Sequence, residues 1–276
     1  MTAVEKSAAF RALHVAGDPF VIANAWDAGS ARILEGLGFK AIATTSSGFA
    51  MTKGRKDYNV SHDAAIDHCR EVAAAIDIPV SADLENGWGD APDAAAETIA
   101  RAVETGLAGG SIEDSTGDPA NPIYDLNLAA DRIAAASEAA RASSAGFVLT
   151  ARAEAYLWSK PSLNDVIARL QRFEAAGADV LFAPGLPDMD AVRAVCAAVT
   201  KPVNVLVLGK LAQHSLADFA AAGAARISVG GALARVAYAT LADAKAILDK
   251  GAFDCLGANP DGGRIVSAFL REGNEK

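Results

Sequence analysis

Pro79-Val80-Ser81-Ala82-Asp83-Leu84-Glu85-Asn86-Gly87-Trp88-Gly89 is the stretch on which the fold of this chain turns. A short apolar run follows a proline, sets acidic residues at alternate positions and breaks at a glycine pair. Alternate side chains of a strand share a face, so Asp83 and Glu85 are expected to point the same way at a strand's end. Related runs follow at Gly109-Gly110-Ser111-Ile112-Glu113-Asp114 and at Phe147-Val148-Leu149-Thr150-Ala151-Arg152-Ala153-Glu154. Acid, acid, then arginine at successive strand ends is the pattern to explain.

Outward from that centre, strand-length apolar runs alternate with helix-period segments. Strands are expected at Val21 to Ala25, Lys40 to Ser46, Pro79 to Asp83, Ala108 to Glu113, Phe147 to Glu154, Val180 to Ala183, Pro202 to Leu208 and Ala225 to Val229. Helices follow at Gly29 to Leu37, Ser61 to Ile76, Pro92 to Thr105, Leu128 to Ser143, Ser162 to Ala176, Asp188 to Val199, Ser215 to Ala222 and Ala232 to Lys250. Ser61 suits an N-cap and Pro92 a first helical turn. Eight such pairs without a domain-sized linker predict one α/β domain over residues 1–276, a (β/α)8 TIM barrel. Ser115 to Asp125, polar and twice interrupted by proline, reads as a gating loop over one strand's C-terminal end. Residues 251–276 exceed what a barrel needs, and an extra helix near Ile265 to Leu270 is expected there for subunit packing.

The composition narrows the partners. Of 276 residues 51% are hydrophobic, enough for one large core, and the net charge is -9. Such a surface repels nucleic-acid phosphates and anionic membranes, so neither is an expected partner. The three cysteines, Cys69, Cys196 and Cys255, fall in no disulfide or zinc spacing. The N-terminal residues lack the apolar core of a signal peptide, and no apolar run spans a bilayer. These features predict a cytoplasmic protein.

Residues at strand C-termini of a barrel face the mouth where chemistry is done. Here these are Asn24, Trp26 and Asp27; Thr44, Thr45, Ser46 and Ser47; Asp83 and Glu85; Glu113 and Asp114; Arg152 and Glu154. Converging carboxylates repel unless neutralised. A hard divalent cation held by carboxylate and water oxygens does this, and Mg2+ suits a partly hydrated site; the alternative is that Arg152 alone compensates them. Asp27 and Asp114 read as helix caps or turn formers. Arg152 has the planar fork for bidentate pairing with a substrate carboxylate or phosphonate. The small Ser46-Ser47 stretch reads as an anion cradle, because no Gly-x-Ser-x-Gly elbow supports a nucleophile. His14, His62, His68 and His214 read as core or surface residues, with His214 the one nearest a strand end. Gly230-Gly231, between the eighth strand and a helix, is a weaker phosphate-binding signal.

These residues together resemble the isocitrate lyase/phosphoenolpyruvate mutase superfamily. The likeness runs through Asn24-Ala25-Trp26-Asp27-Ala28-Gly29-Ser30-Ala31, Thr44-Thr45-Ser46-Ser47-Gly48, Asp83 to Gly89, Ile112-Glu113-Asp114 and Thr150 to Ala155. It implies Mg2+, or Mn2+ in its place, at Asp83, with Glu85 and Glu113 acting mostly through bound waters. It also implies a catalytic-loop aspartate at Asp57, in a segment that otherwise reads as a charged surface loop. Substrate contacts are implied at Trp26, Thr45, Ser46, Ser47, Asp83 and Arg152, and a gate residue at Asn121. A homodimer or homotetramer is the implied assembly. Two departures stand out. The family's lyases carry a cysteine in the gate, whereas none lies between Cys69 and Cys196 here; the mutases carry a histidine and a tryptophan where this chain has Ala183 and Ala43.

The expected activity is Mg2+-dependent C–C cleavage of a small 2-oxo or 2-hydroxy (di)carboxylic acid through a stabilised enolate. The alternatives are P–C chemistry on a phosphonate, a metal-free sugar-phosphate isomerase using Gly230-Gly231, and a barrel kept as a non-catalytic binding module.

Overall fold

The computed structural model describes residues 1–257 and 260–270. Eight parallel strands close into a barrel in sequence order: β1 (Phe20–Ala25), β2 (Ile42–Thr44), β3 (Val80–Asp83), β4 (Gly109–Glu113), β5 (Val148–Arg152), β6 (Val180–Phe182), β7 (Val203–Leu206) and β8 (Arg226–Ser228). The closing pair is β1 with β8, Phe20 opposite Arg226. In chain order the helices are α1 (Ala3–Ala12), α2 (Ala28–Gly36), α3 (Ser46–Thr52), α4 (His62–Ala75), α5 (Pro92–Val103), α6 (Leu126–Ala142) and α7 (Ala155–Trp158). They continue with α8 (Leu163–Ala175), α9 (Met189–Ala198), α10 (Leu216–Ala221), α11 (Ala232–Ala239), α12 (Ala244–Lys250) and α13 (Pro260–Ser267).

Local chemistry explains most boundaries. Asp27 caps α2 through a reciprocal capping box with Ser30, and Ser61, Ser162 and Asp188 cap α4, α8 and α9 by accepting backbone N–H bonds. Pro92 opens α5, where its missing donor costs nothing. The second strand is shorter than the sequence suggests. Thr45 accepts a bond from Gly48 N and turns Ser46-Ser47-Gly48 into the first turn of α3. The expected last barrel helix is divided: a 3-10 turn at Thr240–Asp243 separates α11 from α12. The extra C-terminal helix starts earlier than expected, at Pro260, and ends at Ser267; residues 271–276 of the proposed tail lie outside the described residues. The segment past β8 leaves Val236, Leu241, Leu248, Phe253 and Leu256 exposed.

The N-terminal residues form an element that their sequence does not announce. Helix α1 lies under the barrel and inserts Phe10, fully buried, among Phe20, Ile22, Ala41, Ala108, Val148 and Val180. The Gly109-Gly110 pair makes room for this plug and for the neighbouring packing. A Cβ on Gly109 would sit 2.6 Å from the Val148 carbonyl oxygen and 2.9 Å from Phe10 Cε1, and one on Gly110 would sit 2.9 Å from Leu84 Cδ1. The plug closes the lower end, and the cavity lined by Asp83 and Arg152 lies toward the strand C-termini.

Replacing Phe10 with alanine leaves a cavity that the surrounding strands cannot collapse into. Urea unfolding of Phe10→Ala is expected to show a loss of about 3–5 kcal/mol. A loss under 1 kcal/mol would show that α1 is not part of the cooperative core.

Candidate active site

Arg152, the last residue of β5, is the hub of the mouth. Its Nη1 lies 2.6 Å from Asp83 Oδ1, its Nη2 3.1 Å from Glu113 Oε2, and its Nη2 2.8 Å from Glu154 Oε1. Its guanidinium carbon lies 5.3 Å above the centre of the Phe182 ring. The register puts Glu113 directly opposite Arg152 and Ser111 opposite Asp83, so β3 and β4 deliver Asp83 and Glu113 to the guanidinium, while Glu154 reaches it from two residues further along the same chain segment. Burial works against the charge of Arg152, yet Glu154, Glu113 and Asp83 together hold its pKa well above that of an ordinary arginine. Glu154, placed at the mouth by its same-face spacing two residues after Arg152 but given no role there from the sequence, is the third acid on the guanidinium.

Asp83 and Glu85 do not share a strand face as the alternation suggests. Strand β3 ends at Asp83, and Glu85 adopts the left-handed conformation with φ 46°, followed by Gly87 at 79° and Trp88 at 53°. The turn nevertheless keeps Glu85 buried beside the mouth, where it shares a small pocket with Asp83, Ser46 and His68. Burial, then the charges of Asp83 and Asp57, push its pKa up to about 8. Arg132, fully buried on α6, locks this turn by donating to the carbonyls of Asn86, Gly89 and Ala91.

Asp57, expected here only from the resemblance, sits on the loop between α3 and α4 that folds over the acids. Its Oδ1 is buried without a partner, and burial followed by the Asp83 charge raises its pKa. Tyr58, which nothing in the sequence singled out, takes a left-handed φ of 61° and donates its hydroxyl to Glu113. Its ring packs toward Gly117 of the gating loop, where a Cβ would lie 3.4 Å away. Burial drives Glu113 well above the usual carboxylate range, with Glu154 and Asp83 adding to the push and Arg152 opposing it.

Other expected residues fall differently. Ser46 gives its backbone N–H (3.1 Å) and its hydroxyl (2.9 Å) to Asp83 Oδ2, so these donors hold the acid instead of standing free for an anion. Ser47 Oγ lies 3.1 Å from Thr45 Oγ1, beside Gly231, whose hypothetical Cβ would be 2.4 Å from that hydroxyl and 3.0 Å from Arg235 Nη1. Arg235 is thus a rim cation that the sequence did not single out. Trp26 lines an apolar groove between α2 and α11 with Ile33, Leu233 and Val236, outside the mouth. Asn121 is exposed on the gating loop, which is pinned to itself by the Thr116–Pro122 and Thr116–Asn121 bonds, and lines neither mouth pocket. Asp114 is neither a cap nor a turn former: fully buried, it accepts from Glu154 N at 2.7 Å and pairs with Arg169 at 3.2 Å. His62 stacks on Trp88, His68 stacks on Phe49, and His214 sits exposed near Asp218, away from the mouth.

Among the described residues, no three His, Cys, Asp or Glu side chains converge as ready metal ligands. The geometry gives the reason: the Arg152 guanidinium lies between the carboxylates and draws each toward itself. The donor set still fits a hard cation. Asp57, Asp83, Glu85, Glu113 and Glu154 crowd one mouth with oxygen donors, burial raises the pKa of four of them (Asp57, Glu85, Glu113 and Glu154), and one oxygen of Asp57 is orphaned.

The raised pKa of Glu85 has a testable consequence in metal-free protein. Folded Glu85 keeps its proton where unfolded Glu85 loses it, so its contribution to stability is full below about 4.5 and is lost as the pH rises through about 8. Glu85→Gln is therefore expected to be more stable than wild type at pH 8.5, by roughly 1–2 kcal/mol. Urea titrations at pH 5 should show that gap closing; a gap independent of pH would refute the assignment.

Comparison with known proteins agrees with the barrel. Residues 10–248 match the phosphoenolpyruvate phosphomutase family. The uncharacterized protein Rv1998c of Mycobacterium tuberculosis is 34% identical over 222 residues, covering 80% of this chain and 81% of its own. A 2-methylisocitrate lyase of Shewanella oneidensis is 29% identical over 226 residues (78% and 75% of the two chains), and an oxaloacetate decarboxylase of Bradyrhizobium is 30% identical over 213 residues (75% and 71%). A solved structure from Burkholderia cenocepacia, named only as a lyase or mutase, superposes with a TM-score of 0.92 at 48% identity, covering 99% of this chain and 98% of that one. The chain belongs to the isocitrate lyase/phosphoenolpyruvate mutase superfamily.

Proposed function

We propose that this protein is a Mg2+-dependent lyase that cleaves a C–C bond of a small 2-oxo or 2-hydroxy acid. The observation that carries the reading is the mouth itself: Asp57, Asp83, Glu85, Glu113 and Glu154 gathered around one buried arginine at the strand C-termini. The relatives named as a 2-methylisocitrate lyase and an oxaloacetate decarboxylase support C–C over P–C chemistry. The family match to a phosphomutase keeps P–C cleavage as the second reading.

Asp83 would hold the cation, with Glu85 and Glu113 reaching it mostly through water. When bound, the cation supplies Lewis-acid stabilisation for the negative charge that develops on the 2-oxo oxygen as the bond breaks. The rest is work for the chain. With Asp83 engaged by the cation, Arg152 would offer its fork to the substrate carboxylate while Glu154 still orients it. Ser46 and the Ser47 hydroxyl would donate to a substrate oxygen. Asp57 lies where a proton can be taken or delivered, and its burial favours the protonated form at higher pH than for a free aspartate. The loop bearing Asp57 and Tyr58 and the gating loop would together keep water from the reacting carbon.

Oxalate, a planar dianion resembling the enolate, is the probe. Mg2+ and oxalate together are expected to raise the melting temperature of wild type by roughly 5 °C, more than the sum of their separate effects. Asp83→Ala should lose that joint rise while staying folded. Release of a 2-oxo acid from oxaloacetate or methylisocitrate by wild type would then establish C–C cleavage. Turnover of phosphonopyruvate alone would favour the second reading, and no joint stabilisation would contradict the site.

A further inference from the structure

Below Arg152 the barrel interior is polar, where barrels are ordinarily filled by branched apolar side chains. Arg226, the first residue of β8, lies there only 5% exposed. Its Nε donates to Asn204 Oδ1 at 2.9 Å and its Nη2 to Thr150 Oγ1 at 3.1 Å. Its Nη1 lies 3.2 Å from His14 Nε2. The other ring nitrogen of His14 is 2.8 Å from the Phe10 carbonyl oxygen, so Nδ1 carries the hydrogen and Nε2 accepts from Arg226. Burial, then the Arg226 charge, lower the His14 pKa to about 3, which keeps this imidazole neutral.

Every partner of Arg226 is therefore uncharged, and among the described residues no carboxylate lies within ion-pair distance of it. A buried charge held only by neutral groups is costly. Burial followed by the nearby Arg152 charge drives its pKa down to about 9. Arginine has five N–H donors, and the three bonds leave two of them without a partner among the described residues. The same residue lines, with Ser81, Ser111, Asn204 and Ser228, the inner part of the mouth's own cavity of about 80 Å³, whose wall also includes Arg152. That space admits a few waters or one small anion. The one carboxylate on its wall, Asp83, is already bonded to Arg152 and Ser46.

We propose that Arg226, with Asn204 and Ser228, forms a subsite for a single carboxylate-sized monoanion beneath the mouth. The subsite needs no divalent cation and no Asp83, so it stands or falls separately from the lyase reading. Its occupant is either a free anion or the remote carboxylate of a substrate.

The test uses metal-free full-length protein in EDTA with formate as the probe. Sodium formate is expected to raise the melting temperature saturably, by roughly 3 °C at ten times its Kd. Gluconate at equal ionic strength, too large for the cavity, should not. Arg226→Gln should lose the formate effect, and Asp83→Ala should keep it. Because Arg226→Gln can fail to fold, bromide-soaked crystals of wild type give an independent answer: an anomalous peak beside the Arg226 guanidinium is expected. Malate added with Mg2+ separates the two sources: displacement of the bromide identifies a substrate carboxylate, and retention a free anion. No saturable formate effect and no bromide peak at Arg226 would overturn the subsite, whatever oxalate does at the mouth.

Discussion

The contact of one arginine with three acids organises the working end of this molecule. Arg152 bonds Asp83, Glu113 and Glu154 from β3, from β4 and from just past β5. Without it, buried carboxylates would face each other across a low-dielectric mouth, an arrangement that costs several kcal/mol per ion. With it, the acids are held apart at fixed positions, and the pressure for a further cation is visible in Glu85 and Glu113, whose burial keeps them far above the ordinary carboxylate range. A cation at Asp83 would compete with the guanidinium for the same oxygens, so that binding of one would set the orientation of the other.

The surrounding structure serves that contact. Closure of the barrel brings strand ends that are distant in sequence into one ring. The plug from α1 seals the lower end, and Gly109 at the start of β4 lets it enter. Arg132 clamps the turn after Asp83 through three backbone carbonyls, which fixes Glu85 in a conformation that a non-glycine residue rarely takes. Tyr58 ties the loop above the site to Glu113 and abuts the 115–125 loop at Gly117, so the two loops meet at one aromatic side chain.

Much of this was legible in the sequence because it is periodic. The eight strand–helix pairs followed from apolar runs and caps such as Ser61 and Asp188, and the acids at strand ends pointed to the mouth. The errors have physical causes. Alternation placed Glu85 on the strand face, but the chain turns at Leu84 and no local pattern announces a left-handed glutamate. Trp26 reads as a mouth residue by position, yet its side chain is drawn into the apolar groove beside α11. Asp114 looked like a turn former because its partner, Arg169, lies far along the chain on α8. Tyr58 and Arg226 were invisible for the same reason: what they do depends on groups brought near only by folding.

The central claim is that the acids around Arg152 form a cation site completed by an enolate-like ligand. Anomalous diffraction from crystals grown with Mn2+ and oxalate tests it most directly. The account predicts one manganese peak beside Asp83, with Arg152 turned from Asp83 toward the oxalate. An empty mouth with Arg152 still bonded to Asp83, or manganese bound elsewhere, would contradict it.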